Sequence, residues 1–230
     1  MKIGWFVGTK TFTTSGELKS KPQLDLLIME PEKVGVTDEH GSYKYCPAFA
    51  IYTNQTFLLR SPFDLELNFY NNEVNVLYSS ISPNVIKDHL TIDMEKNPIV
   101  QLELHIGFVA DETCFIELTS DHFSTNRPNN HVRVVPGTYD ISSWQRLLNY
   151  SIEWTDTSKP ISIKRGDPLL YVRFRTKNPS EKFELKRIEM TDDLLKSVAR
   201  SQLSKFYVSG KTWTLMKLNK LMRRKIKFVK

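Results

Sequence analysis

The residues of this 230-residue chain that could do chemistry are few: five histidines, two cysteines, and carboxylates that mostly sit beside turns. A metal centre built on β-strands needs imidazoles and carboxylates two apart on one strand or opposite one another on neighbours. The histidines are His40, His89, His105, His122 and His131, and none forms a His-x-His pair. Glu103 and His105 are two residues apart and share a strand face, and His131 falls in a later segment that can lie on an adjacent strand. Glu103, His105 and His131 thus offer two imidazoles and one carboxylate inside a β-sandwich, the set that holds Fe(II), with Mn and Zn the other fitting metals. The competing reading puts Glu103 and His105 on a solvated sheet face. Other chemistries find no support. The chain contains no Gly-x-Ser-x-Gly elbow and no Gly-x-x-x-x-Gly-Lys loop. Asp64, Asp140 and Asp167 adjoin turn residues, where capping explains a carboxylate. Cys46 and Cys114 carry no reactive signature and read as two buried free thiols, the usual state in a reducing compartment. The balance points away from an enzyme.

The second feature is charge. The net charge is +6, yet Lys211 to Lys230 carries eight basic residues and no acid, so the first 210 residues come to about −2. Lys217, Lys220, Arg223, Arg224, Lys225 and Lys227 are the candidate contacts. They suit phosphates, with salt-dependent affinity. They also suit a helix that lays its apolar face on a partner with the basic face outward, or an anionic membrane surface. The bland alternative is a helix packed on its own domain with a solvated lysine face.

The elements that must position these residues are mostly strands. Tyr139 and Ile141, then Tyr150, Ile152 and Trp154, recur at two-residue spacing, as do Ile161 and Ile163. Lys164-Arg165-Gly166-Asp167-Pro168 is a turn that opens a long strand through Phe174, with Gly166 free to take positive φ. Leu65, Leu67 and Phe69, the turn Asn71-Asn72, and Val74, Val76 and Tyr78 form a hairpin. Ile3–Val7, Leu24–Met29, Val100–Leu104, Thr113–Leu118 and Lys182–Ile188 read as further strands, with a tight turn at Asp111-Glu112. The segment from Cys46 through Tyr52 leads into the core. Thr191 caps a helix with Asp192 and Asp193 in its first turn. Leu215, Leu218 and Met222 mark a second helix with a basic face. The pattern predicts a mainly β, jelly-roll or cupin-like antiparallel β-sandwich over residues 1–188, with a basic helical C-terminal extension over 189–230. No run approaches the roughly 18 apolar residues of a membrane span, and no leader peptide is visible, so a cytoplasmic protein is expected.

Cys46-Pro-Ala-Phe, the run Leu58-Leu-Arg-Ser-Pro-Phe-Asp-Leu65, Pro136-Gly-Thr-Tyr-Asp-Ile141, Trp154 and Lys164-Arg-Gly-Asp-Pro168 together resemble a family of phage and bacterial proteins, many from marine cyanophages. The resemblance spans about residues 45–175. Arg165 is an insertion relative to that pattern, and the family's proline- and Trp-containing entry segment before Cys46 is missing. The shared residues are turn formers and core aromatics, so the resemblance implies a cupin-like sandwich and a phage-encoded protein, resident in the host cytoplasm or the virion, and implies no activity. The expectation is a non-enzymatic, phage-type binding or assembly protein that contacts a protein partner, or itself, through its sandwich and basic C-terminal helix. A metal-dependent cupin-like enzyme or small-ligand binder, and a nucleic-acid-binding accessory protein, are the alternatives.

Overall fold

Two-residue alternation and turn chemistry account for most of the strands. The computed structural model describes residues 1–8, 10–12, 18–20, 27–36, 38–87, 89–94, 97–120, 129–207, 212–223, 226 and 228. Its first strands are β1 (Lys2–Val7), β2 (Lys10–Phe12), β3 (Leu18–Ser20) and β4 (Glu32–Lys33). A 3-10 segment (Asp38–Tyr45) and α1 (Pro47–Asn54) lead to β5 (Thr56–Arg60), β6 (Leu65–Tyr70) and β7 (Glu73–Ser79). The short α2 (Pro83–Lys87) precedes β8 (Leu90–Met94), β9 (Pro98–Val109) and β10 (Phe115–Thr119). Then come β11 (Val132–Val134), β12 (Gly137–Asp140), β13 (Leu147–Trp154), β14 (Ile161–Ile163), β15 (Pro168–Arg175) and β16 (Glu184–Arg187). The chain ends with α3 (Asp192–Tyr207) and α4 (Thr212–Met222).

The molecule is mainly β. One sheet runs β11-β13-β9-β1-β16, with β8 also paired to β9; a second runs β12-β10-β15-β5-β4; β14-β6-β7 and β2-β3 are smaller. Among the described residues every strand pair is antiparallel except β1 with β16. Buried apolar side chains from the three larger sheets meet in one core, which includes Trp5, Phe57, Leu67, Leu102, Phe108, Ile116, Tyr150, Trp154 and Phe174. Asn71 and Asn72 both take positive φ, 53° and 58°, the geometry a two-residue hairpin turn between β6 and β7 demands. Gly166 sits at φ 88°, and Pro168 opens β15.

Four local expectations change. Asp111-Glu112 does not close a hairpin: β9 and β10 pair in different sheets, so this connection carries the chain from one sheet to the other. Pro47 to Asn54 is a helix, with Pro in its first turn where a missing N–H costs nothing. That helix leaves Cys46 exposed, and only Cys114 is buried. Of the strand expected over residues 24–29, residues 24–26 lie outside those described, and residues 27–29 form no strand. The final strand and the helix cap appear as read: Leu194 N–H donates to Thr191 Oγ1 at 3.3 Å. Among the described residues no helix is long and apolar enough to cross a membrane.

Candidate metal centre and the C-terminal helices

The centre is organised by an irregularity in β9. Along one edge, β9 pairs first with β8, from Met94 opposite Pro98 to Leu90 opposite Leu102. It then pairs with β1, from Val7 opposite Ile106 to Gly4 opposite Val109. Along the other edge, Asn149 of β13 lies opposite Glu103 and Leu147 opposite Gly107. A two-residue step on β13 is therefore matched by a four-residue step on β9. The extra backbone bulges at His105, which takes φ 55°, a region that is costly for any residue with a Cβ. Bulges of this kind re-aim side chains. Gly8 closes the other side, its N–H donating to His105 O at 2.7 Å while its carbonyl lies 3.3 Å from His105 Nδ1. A carbonyl only accepts, so Nδ1 carries the hydrogen of that contact, and in the neutral ring Nε2 is the lone-pair nitrogen.

Nε2 of His105 faces two groups: His89 Nδ1 at 2.9 Å and Glu103 Oε1 at 3.4 Å. One ligand atom from each of His89, Glu103 and His105 falls within 4.8 Å of the others. His89 and His105 are 4% and 2% exposed, whereas the Glu103 side chain is 30% exposed, so the cluster opens toward solvent on the carboxylate side. His89 is held by its backbone, whose N–H donates to Ile86 O at 2.9 Å and whose carbonyl accepts from Glu103 N–H at 3.0 Å. That bond extends the β8–β9 register by one step and sets His89 opposite Glu103.

Leu102 and Leu104, the neighbours of Glu103, belong to the main core. Glu103 therefore points from the opposite face of the sheet, and the cluster lies there, not between the sheets as the sequence suggested. His131 is not a member. Its Nε2 is 3.0 Å from Pro160 O, and its carbonyl accepts from Thr155 N–H and Oγ1. The structure brings Glu103 and His105 together and puts His89 in the place expected for His131.

The C-terminal helices cover the same face. Leu194 and Val198 of α3 pack on Phe6, Val109 and Leu147. Beneath α4 lies a buried polar network. Asn219 Nδ2 is within bonding distance of Ser201 Oγ (2.9 Å), Ser197 O (3.1 Å) and Gln145 Oε1 (3.2 Å). Its Oδ1 accepts from Arg200 Nε at 2.9 Å. Lys220 Nζ donates to Ser142 Oγ at 2.6 Å, which itself donates to Asp140 Oδ1. Arg223 donates to Ala110 O and Asp111 Oδ1 at 2.9 and 3.0 Å. Of the six basic residues expected to reach a partner, Lys220 and Arg223 are thus turned onto the chain's own body, and Lys217 is exposed. Arg224, Lys225 and Lys227 lie outside the described residues. One apolar edge of α4 is turned out, with Leu218, Leu221 and Met222 at 47%, 82% and 59% exposed, while Met216 is buried. The expected orientation, basic outward and apolar inward, holds for Lys217 and Met216 but not for Lys220, Arg223 and the exposed apolar triplet, because the surface under α4 offers amides, hydroxyls and the carboxylates of Asp111 and Asp140. No protein-family model matches the chain, and no relative is found among curated proteins.

Proposed function

We propose that the protein is a non-enzymatic binding or assembly protein that holds a protein partner through the outward face of α4. The observation that supports this reading is the exposure of Leu218, Leu221 and Met222 on a helix whose Asn219 and Lys220 are directed inward. Their i, i+3, i+4 spacing is that of anchors in helix-in-groove recognition. Three side chains make a face far smaller than the ~1,000 Å² that a stable flat interface needs, so the fitting partner is a groove. Its rim is acidic, since no Asp or Glu follows Asp193 and Lys217 flanks the apolar triplet. The sheets serve as the platform, read here as a jelly-roll or cupin-like sandwich, in keeping with the phage-type resemblance of residues 45–175.

The test is site-specific photocrosslinking in producing cells, with the crosslinker at Leu221 and, as control, at Arg165 in the exposed turn before β15. The expected result is an adduct from position 221 alone, mapped to an apolar groove edged by Asp or Glu and abolished by Leu218→Asp with Met222→Asp. Equal crosslinking from both positions, or an adduct indifferent to the two substitutions, overturns the reading.

A further inference from the structure

We propose that His89, Glu103 and His105 form a divalent transition-metal site on the helix-covered face of the large sheet, with coordination positions left for a small oxygen-donor ligand. The proposal is independent of partner docking at α4.

The first argument is the spacing of the ligand atoms. Bonds of about 2.0–2.1 Å to nitrogen and oxygen imply edges of about 2.9 Å in an octahedral shell and about 3.4 Å in a tetrahedral one. The observed edges from His105 Nε2 are 2.9 Å to His89 Nδ1 and 3.4 Å to Glu103 Oε1. The second is the shape of the His–His contact. A head-on imidazole hydrogen bond of that length would hold the ring centroids roughly 5 Å apart, the N···N distance plus two ring radii. The centroids are 4.2 Å apart, with the planes at 86°. The contact is therefore bent well away from at least one ring axis, a poor hydrogen bond but a natural neighbouring edge of a coordination shell.

The third argument is orientation. Metal-bound histidines characteristically direct their second nitrogen to a carbonyl or carboxylate. His105 does this with Gly8 O, and the unusual φ of 55° is what turns the ring there. A positive φ at a buried imidazole is strain that the bulge fixes in place, and strain of this kind concentrates at functional positions. The donor set, two imidazoles and a carboxylate, suits Fe(II), Mn(II) or Zn(II). Among the described residues no fourth ligand joins it, so the remaining positions fall to water or an oxygen-donor ligand entering past the half-exposed Glu103.

The test uses the full chain purified without a metal-affinity tag, stripped with EDTA, then titrated with Zn²⁺ by calorimetry and with Co²⁺ by visible absorption. One equivalent per chain is expected. Glu103→Gln, on the solvent side of the site, keeps the fold and weakens binding by about 100-fold or more, since even outer groups are worth about 10–100-fold. His89→Ala loses the Co²⁺ bands, and His131→Ala keeps them. Circular dichroism of the metal-free variants confirms that each is folded. Leu218→Asp with Met222→Asp leaves the equivalent in place, which separates this proposal from the docking one. Absence of saturable binding, or equal affinity in wild type, Glu103→Gln and His89→Ala, overturns it.

Discussion

Replacing Asn219 with alanine is expected to undo the docking of the C-terminal helices, and the structure sets the size of the effect. Asn219 is 3% exposed and sits between α3 and the body. Removing its carboxamide deprives Arg200 Nε of an acceptor, and Ser201 Oγ, Ser197 O and Gln145 Oε1 of a donor. Two amide protons and one carbonyl correspond to two or three real hydrogen bonds, each worth about 0.5–1.5 kcal/mol net, and buried partners left unpaired add to the cost. The loss comes to about 2–4 kcal/mol. For a chain of this length 1 kcal/mol moves Tm by about 2–4 °C, so Asn219→Ala should unfold about 4–16 °C lower. The assay is thermal denaturation followed by circular dichroism, paired with limited proteolysis of the last 40 residues. Asn219→Asp is the sharper comparison. It keeps an acceptor for Arg200 but turns the donor edge into carboxylate oxygen facing Ser197 O and Gln145 Oε1, so it should do no better than alanine. A shift within about 1 °C for both variants, with unchanged proteolysis, would refute the view that this network anchors α4.

Two further outcomes follow from buried positions. Gly107→Ala should cost about 1–3 kcal/mol by overpacking, read as a fall in Tm. Its Cβ would lie 2.4 Å from Phe6 Cζ and 2.9 Å from the Arg146 carbonyl, and Phe6 is fully buried and has no room to swing aside. The two cysteines should react very unequally with a thiol reagent at neutral pH. Exposed Cys46 is modified in the native protein, whereas Cys114, whose thiol burial pushes up to about 12, is modified only after denaturant is added.

Local signals in the chain carry the regular part of the fold. The β6–β7 hairpin is legible because Asn-Asn accepts two positive φ values between alternating apolar runs, and β15 because Gly166 and Pro168 fix where it starts. The helix at Thr191 is legible because a hydroxyl cap and two acids adjoin an apolar stripe. Pro47–Asn54 is not. Its residues are apolar enough to read as core, and only the packing of the sheets reveals that most of them stay at the surface. The destination of Asp111-Glu112 is illegible for the same reason, since a short polar connection closes a hairpin or changes sheets with identical chemistry. The orientation of α4 fails differently. Counting apolar and basic residues on a helical wheel ignores what lies beneath, and here Gln145, Ser142 and Asp111 reward amide and cation over leucine.

The metal cluster shows how little separates a legible site from a hidden one. Glu103 and His105 stand out as an i, i+2 pair, but the third ligand depends on register. Ile92 and Val100 lie opposite one another across the turn around Asn97, and counting outward from that pair sets Leu90 against Leu102 and then His89 against Glu103. Leu90, Ile92 and Met94 alternate in the sequence, but polar residues surround them, and without that hairpin His89 has no address. The second step is harder. On a regular strand His105 would lie two residue pairs beyond His89; it is the bulge opposite Leu147–Asn149 and the left-handed backbone at His105 that turn Nε2 back toward Nδ1 of His89. No side-chain pattern in the segment Glu103-Leu-His-Ile-Gly107 announces that bulge, apart from Gly107, the residue that lets Phe6 and the Arg146 carbonyl close over the strand just after it. A cluster that needs one legible register and one illegible bulge is half-visible in sequence, which is why Glu103 and His105 read as a pair while the sequence points to His131 and not to His89 as the third ligand.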